Sequence, residues 1–269
     1  MRLGRAREVV VPRLPSRGDE IGLLARALSD MSLALRARID ATEAFAADVT
    51  HEMKNPLASL RSAVEGLDRV KDPKLAAQLL AIVREDVHRL DRLITDISDA
   101  SRLDAQLSRA KFEPVDVIAL IAGLLDQRHA RGVDRGITIT FSHPDLADAF
   151  VLGEGARIER VFENLVDNAL SFSPDGSQVA IAAERVGDGL VVRIDDAGPG
   201  VPDEAREAIF RRFQSIRPAS EAFGRHSGLG LAIARTIVEA HQGRIAVESR
   251  PDGDDGARFV VHLPIVEPQ

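Results

Sequence analysis

The sequence contains no cysteine, which excludes disulfides and any thiol-based metal or redox chemistry. Tryptophan and tyrosine are absent too. Aromatic residues make up 4% of the chain, all of them phenylalanine, too few for the stacking platforms of single-strand nucleic-acid binders. Positive charge is in short supply: the formal net charge is −7, which argues against a nucleic-acid partner. Long apolar runs are missing. The longest, Val117–Leu125, stops at Asp126, well short of the roughly 18–20 residues that cross a bilayer. No signal peptide is visible, so the chain as given reads as soluble. The opening MRLGRARE does not look like the start of a domain, which fits a piece of a longer protein.

What is present is an ordinary globular balance, 45% hydrophobic and 29% charged, over 269 residues, enough for one to two domains. Val9–Pro15 is β-branched and proline-bearing and reads as an extended connector. Ser16-Arg17-Gly18-Asp19 supplies a turn and helix-capping residues. Ile21, Leu24, Leu28, Met31 and Leu35 then alternate steps of three and four, a heptad seam that drifts through Ile39 without a glycine or proline break. The spacing predicts one helix to about Val70, long enough to imply a coiled coil between two chains. Lys71-Asp72-Pro73 ends it and caps a second helix, striped by Leu79, Val83, Val87, Leu90, Ile94 and Ile97. Two such hairpins from two chains predict a four-helix bundle.

Ser108–Pro114 reads as a linker, and beyond it strands and helices alternate. Helices are expected at Val117–Arg131, Arg157–Phe172 and Gly228–Gln242. Strands are expected at Ile137–Phe141, Phe150–Gly153, Val179–Arg185, Leu190–Asp195, Arg244–Ser249 and Arg258–Leu263. This order predicts a mixed sheet with helices on one face, an α/β sandwich.

Within the first long helix, Phe45–Pro56 reads FAADVTHEMKNP. Apolar residues at Phe45, Val49, Met53, Leu57, Leu60, Val64 and Leu67 share one side, and His51 falls roughly opposite. Asn55 lies one turn on, above His51 on the same face. Pro56 cannot donate to the carbonyl of Glu52, so a bend is expected just after His51. An outward histidine beside a carboxylate at a softened turn suits a nucleophile that meets large partners. A solvated surface histidine is the plainer reading of His51 alone. His51-Glu52 also begins like a zinc-protease motif, but no second histidine follows at the required spacing.

Three clusters in the second half carry chemistry. Asn164 and Asn168 are four apart on one helix face, where two amide oxygens can hold a Mg²⁺ that also takes phosphate oxygens. Asp195-Asp196-Ala197-Gly198-Pro199-Gly200 follows a strand; its glycines admit a planar ligand, and a carboxylate can accept from an exocyclic amine such as that of adenine. Ser227-Gly228-Leu229-Gly230-Leu231 opens a helix whose amides can bind phosphate. Before it, Arg211–His226 holds Arg211, Arg212, Arg217 and Arg225, anchored by Phe210 and Phe213, and reads as a lid carrying cations. Taken singly, these are a polar helix face, an acidic turn and a helix cap after a loop. The G-x-x-x-x-G-K-[ST] loop is absent, and so are H-R-D and D-F-G, which excludes those two kinds of nucleotide enzyme.

In this order and spacing the sequence resembles the transmitter core of bacterial two-component sensor histidine kinases, over nearly the whole chain. His51-Glu52-Met53-Lys54-Asn55-Pro56 is similar to the family's H box with its phospho-accepting histidine. Asn164 and Asn168 match its N box, Asp196, Gly198 and Gly200 its first glycine box, Phe210 and Phe213 its F box, and Gly228 and Gly230 its second glycine box. Asp19-Glu20-Ile21-Gly22 resembles the start of the second helix of a HAMP relay, with most of the first helix missing. The resemblance implies three parts: a partial HAMP coiled coil over residues 1–40, a dimerising phosphotransfer hairpin over 41–108 and an ATP-binding domain of the Hsp90, gyrase and MutL type over 109–269. It implies a homodimer, ATP and Mg²⁺ as ligands and a response-regulator receiver domain as partner. It also implies a parent anchored in the inner membrane by a missing N-terminal segment, with this part in the cytoplasm. Where related kinases often carry a lysine three residues after the second asparagine, this chain has Ser171, and Arg225 is the candidate substitute.

The expected reaction is attack of neutral His51 on the γ-phosphate of ATP, with Glu52 fixing the tautomer or taking the proton. Asn55 resembles the family's phosphatase position and is placed to orient a water. Two other readings stay open: an ATP-binding scaffold that transfers nothing, and an ATPase of the Hsp90-like group.

Overall fold

The computed structural model describes residues 19–107, 111–132, 136–144, 146, 149–213, 228–251, 253 and 255–266. The chain divides into two compact units, Met1–Lys54 and Asn55–Gln269. The connector expected at Val9–Pro15 lies outside the described residues.

Helix α1 (Glu20–Leu67) opens on Asp19, whose Oδ1 accepts from the Gly22 N–H at 3.1 Å, and continues for 48 residues, about 72 Å at 1.5 Å per residue. Helical backbone is unbroken through Pro56. Ile21, Leu24, Leu28, Met31, Leu35 and Ile39 all stand exposed, so the seam predicted from their spacing faces outward. Helix α2 (Pro73–Leu107) is capped by Asp72, which accepts from the Lys74 N–H at 2.9 Å. The two helices close on each other where a Cβ on Gly66 would stand 3.2 Å from Leu79.

The single stripe expected on each helix divides in two. On α1, Pro56 and Ala63 are buried while Leu57 and Val64 are exposed. On α2, Leu79, Val83, Leu90, Leu93 and Ile97 are buried or half-buried, and Asp86 sits among them. Leu80, Val87 and Ile94, spaced seven apart, form a second, exposed stripe.

The remaining elements are β1 (Glu113–Asp116), α3 (Val117–Arg131), β2 (Thr138–Ser142), β3 (Phe150–Gly153), α4 (Gly155–Phe172), β4 (Gln178–Val186) and β5 (Gly189–Asp195). Two 3₁₀ turns follow at Asp203–Ala205 and Ala208–Phe210, then α5 (Gly230–Ala240), β6 (Arg244–Ser249) and β7 (Ala257–Val266). The strands make a sheet in the order β1-β3-β7-β5-β4-β2, with β6 also paired to β7. All these pairings are antiparallel except β2 with β4, so the sheet is mixed, as expected. Strand β1 corrects the sequence reading, which gives Ser108–Pro114 to a linker: Glu113 to Asp116 pair with Gly153 to Phe150. Asp116 then caps α3 by accepting from the Ala119 N–H at 2.9 Å.

Helix α4 turns Ile158, Val161, Phe162, Leu165, Val166 and Ala169 inward, and α5 contributes Ile233, Ala234, Ile237 and Val238. They pack with Val192, Ile194 and Val261 of the sheet in a core that excludes water almost completely. Each such aliphatic or aromatic side chain stabilises the fold by about 1.5–3 kcal/mol. One polar side chain, His241, is sealed in with them. Its Nδ1 donates to Ile237 O at 2.7 Å and its Nε2 accepts from the Glu154 N–H at 3.2 Å. Phe112 stacks on the ring at 4.9 Å. These contacts tie the end of α5 to the β3–α4 junction and fix the orientation of the ring.

Candidate functional site

The site is built where α4, the end of β5, the start of α5 and the β6–β7 turn converge. The amphipathic pattern of α4 buries its apolar face and leaves Asn164 and Asn168 half-buried on another, one turn apart. Asn164 Nδ2 donates to Gly230 O at 3.1 Å, which ties α4 to the first turn of α5. With its amide nitrogen engaged there, the oxygen of Asn164 is left as an acceptor.

Two adjacent carboxylates end β5 and have opposite fates. Asp195 is consumed by a bidentate pair with Arg258, at 2.7 and 2.6 Å. Asp196 is 2% exposed, and its Oδ1 accepts from the Gly198 and Ala257 N–H groups, both at 2.9 Å. Among the described residues no hydrogen bond reaches its Oδ2. Burial pushes the Asp196 carboxyl above its ordinary value of 3.8; the two backbone N–H groups and the Arg250 charge pull the other way and do not cancel it. A desolvated acceptor with one oxygen saturated and the other open is built to receive a neutral N–H donor.

Gly256 makes this possible. Its φ is +136°, and a Cβ there would collide with the backbone oxygen of Asp196. Only glycine lets the turn come close enough for Ala257 to donate to Oδ1 while Asp196 N–H donates to Ala257 O at 3.0 Å. Arg250 donates to Asp196 O at 3.2 Å, and Ser173 Oγ accepts from the Ala197 N–H at 3.2 Å. Sequence reasoning misses Gly256, Ala257, Arg250 and Ser173. The available signal is the glycine-rich Pro251–Gly256 segment, whose composition points to nothing more than a turn.

Of the other predicted residues, Gly198 and Gly200 lie in the loop after Asp196, and Gly230 begins α5. Gly228 precedes the helix, with φ +68°. The Phe213 N–H donates to Gly228 O at 2.9 Å, so the two ends flanking residues 214–227 meet. Phe210 is buried, edge-on to Phe259 at 6.5 Å, with the Arg235 guanidinium 5.8 Å from its ring centroid. Arg225, the candidate phosphate cation, lies outside the described residues. In the Met1–Lys54 unit His51 is exposed and Glu52 half-buried; in the other unit Asn55 is exposed. Ser171 is half-buried near the end of α4. Among the described residues no cluster of histidine and carboxylate side chains could hold a metal ion. No described helix is long and apolar enough to cross a membrane.

Residues 153–267 match the family model described as histidine kinase-, DNA gyrase B- and HSP90-like ATPase, and residues 41–106 match the His Kinase A (phospho-acceptor) domain. The chain is similar to the sensor protein ChvG of Agrobacterium fabrum, at 45% identity over 99% of this chain and 46% of that protein. It is similar to the sensor protein kinase PmrB of Pseudomonas aeruginosa, at 34% identity over 93% of this chain and 50% of that protein. The chain thus spans about half the length of these curated relatives. Its fold is shared with the histidine kinase ThkA, solved in complex with the response regulator protein TrrA, at a TM-score of 0.68, 24% identity, 86% of this chain and 64% of that one. The chain belongs to the two-component sensor histidine kinases.

Proposed function

We propose that the chain uses ATP to phosphorylate His51 and passes the phosphoryl group to an aspartate of a response-regulator receiver domain. The observation that carries the nucleotide reading is Asp196: a buried carboxylate with one oxygen saturated by two backbone N–H groups and the other without a hydrogen bond among the described residues. That oxygen accepts from the exocyclic amine of adenine, while Gly198 and Gly200 allow backbone to approach the ring. Phosphates lie toward the start of α5, where the backbone N–H groups around Gly228 and Gly230 are placed at the helix N-terminus, and Arg225 is the candidate cation.

Asn164 and Asn168 fit a Mg²⁺ ion, being neutral oxygen donors that leave room for phosphate oxygens and water, and Asn164 is oriented by its bond to Gly230 O. When bound, the ion supplies charge neutralisation to the phosphates. The chain's own residues do the rest. His51 offers a neutral ring nitrogen for in-line attack on the γ-phosphorus; the bond to the leaving ADP oxygen breaks, and Glu52 orients the ring or takes the released proton. Most of the acceleration then comes from positioning.

The exposed stripe of Leu80, Val87 and Ile94, with Leu57 and Val64, supports a homodimer in which two hairpins form a four-helix bundle. The proposed division is 1–40, 41–108 and 109–269, supported by the matches at residues 41–106 and 153–267, and the parent protein is proposed to be anchored in the inner membrane. Incubating the chain with γ-labelled ATP tests the reading: wild type gains acid-labile label and His51→Gln gains none. Label retained in His51→Gln refutes the acceptor, and free phosphate with no protein label favours a plain ATPase.

A second activity is supported by the common exposure of His51 and Asn55 on one helix. Asn55 there orients water for dephosphorylation of the regulator. Asn55→Ala that keeps autophosphorylation but dephosphorylates the regulator as fast as wild type ends this reading.

A further inference from the structure

The ATP-binding lobe reaches α2 through a contact that the reaction described above does not use. Asp96 Oδ1 on α2 accepts from Arg160 Nη2 on α4 at 2.9 Å. The Asp96 side chain is 14% exposed and that of Arg160 31%, so the pair is shielded more than an ordinary surface pair. Arg160 Nη1 also lies 3.4 Å from Glu163 Oε2, which steadies the guanidinium. Helix α2 packs against α5 beside it.

The place of this pair on α4 matters. Arg160 precedes Asn164 by one turn on a rigid helix, and Asn164 is bonded to Gly230 O at the start of α5. A displacement of Arg160 is therefore carried to the candidate metal and phosphate positions without an intervening loop. Five residues separate Leu107 of α2 from Glu113 of β1. Covalent attachment of that length limits how far the lobe can stray and leaves its orientation unspecified, whereas phosphoryl transfer needs the reacting atoms roughly 3–3.5 Å apart and aligned.

We propose that Asp96 and Arg160 are positioning residues for autophosphorylation, holding the phosphate end of the ATP-binding lobe in register on the second stalk helix. This rests on the phosphoryl-transfer reading above. Neither side chain is among the proposed nucleotide-binding residues, so the pair acts on the fraction of bound ATP that is correctly presented and not on how tightly ATP binds.

The test is the rate of His51 labelling by the 269-residue chain as a function of ATP concentration. Asp96→Asn and Arg160→Gln each lower the maximal rate about three- to tenfold, the worth of a half-shielded ion pair, with KM for ATP unchanged. Combining Asp96→Arg with Arg160→Asp restores most of the rate, which neither single change can do if it merely damages folding. An unchanged maximal rate overturns the role, as does a raised one, since the pair would then hold the lobe away from the reaction. A loss that appears in KM, or a swap no better than the single changes, overturns it as well. Absence of label in the wild type overturns the phosphoryl-transfer reading and this role together; label in the wild type that the variants do not change overturns only this role.

Discussion

Replacing Asp196 with asparagine should separate nucleotide binding from stability. In the wild type, Oδ1 is held by Gly198 and Ala257, and no hydrogen bond reaches Oδ2 among the described residues. Asparagine keeps an oxygen for the two backbone N–H groups and turns its own NH₂ toward the adenine amine. One charge-assisted hydrogen bond is lost and two donors are opposed, together about 3–5 kcal/mol. ATP should bind roughly 100- to 3,000-fold more weakly. The free protein should behave differently. The folded-state pKa of Asp196 is raised, with burial as the largest cause, so the fold prefers the neutral form. Its contribution to stability is present below 3.8 and is lost as pH rises through the folded value, leaving an ionised group that opposes folding at neutral pH. A neutral asparagine removes that opposition, and the melting temperature without nucleotide should not fall. By the same linkage, ATP affinity should decline on acidification from a pH above the ordinary carboxylate range, because binding needs the ionised acceptor. Calorimetric titration with ATP across pH, beside thermal melts of both proteins, reads all of this. Wild-type ATP affinity in the variant, or a melt several degrees lower with affinity intact, would refute the assignment of Asp196 as the adenine acceptor.

Three further outcomes are expected. Gly256→Ala should cost about 2–4 kcal/mol, because its Cβ runs into Asp196 O, while Gly253→Ala, with φ +76° and nothing within 4 Å, should cost about 1 kcal/mol; denaturant melts compare them. His241→Ala should cost about 2–4 kcal/mol by emptying a packed site and removing the acceptor of the Glu154 N–H, read in the same assay. Serine at Leu80, Val87 and Ile94 together should convert a dimer to monomer in light scattering, while ATP affinity measured by titration stays at the wild-type value.

The lobe is legible in the sequence because its helices and strands obey their own periods. The apolar positions of α4 recur at the helical spacing and β4 alternates buried with exposed, so pattern alone places both to within a few residues. Strand β1 is not legible, since four residues including Pro114 show neither alternation nor strand propensity; they pair only because β3 offers an edge. The Asn164 and Asp196 clusters can be found because residue type and spacing carry their chemistry. The partners of Asp196 cannot, because Ala257 acts through its backbone and Gly256 by having no side chain. Asp96 and Arg160 are hidden for another reason: they are 64 residues apart, and an ion pair at that separation leaves no local pattern.

The stalk hairpin explains why one stripe is expected where two exist. A helix that packs on one neighbour needs about three apolar positions in seven, whereas one that packs on two needs more, arranged as two adjoining stripes. On α2, Leu79, Val83, Leu90, Leu93 and Ile97 form one row and Leu80, Val87 and Ile94 the other. Merging them into a single stripe requires skipping Asp86, which lies on the less exposed row, 9% exposed, with no hydrogen-bond partner for its Oδ2 among the described residues. A lone hairpin with an acidic side chain on its inner row and exposed leucine, valine and isoleucine on its outer one lacks the core that stabilises the lobe. Its missing burial lies on the outer row, so in the proposed homodimer the association of two copies would supply what the hairpin cannot supply alone. On the proposed dimer reading, the stalk is stabilised by a second chain and the lobe by its own interior.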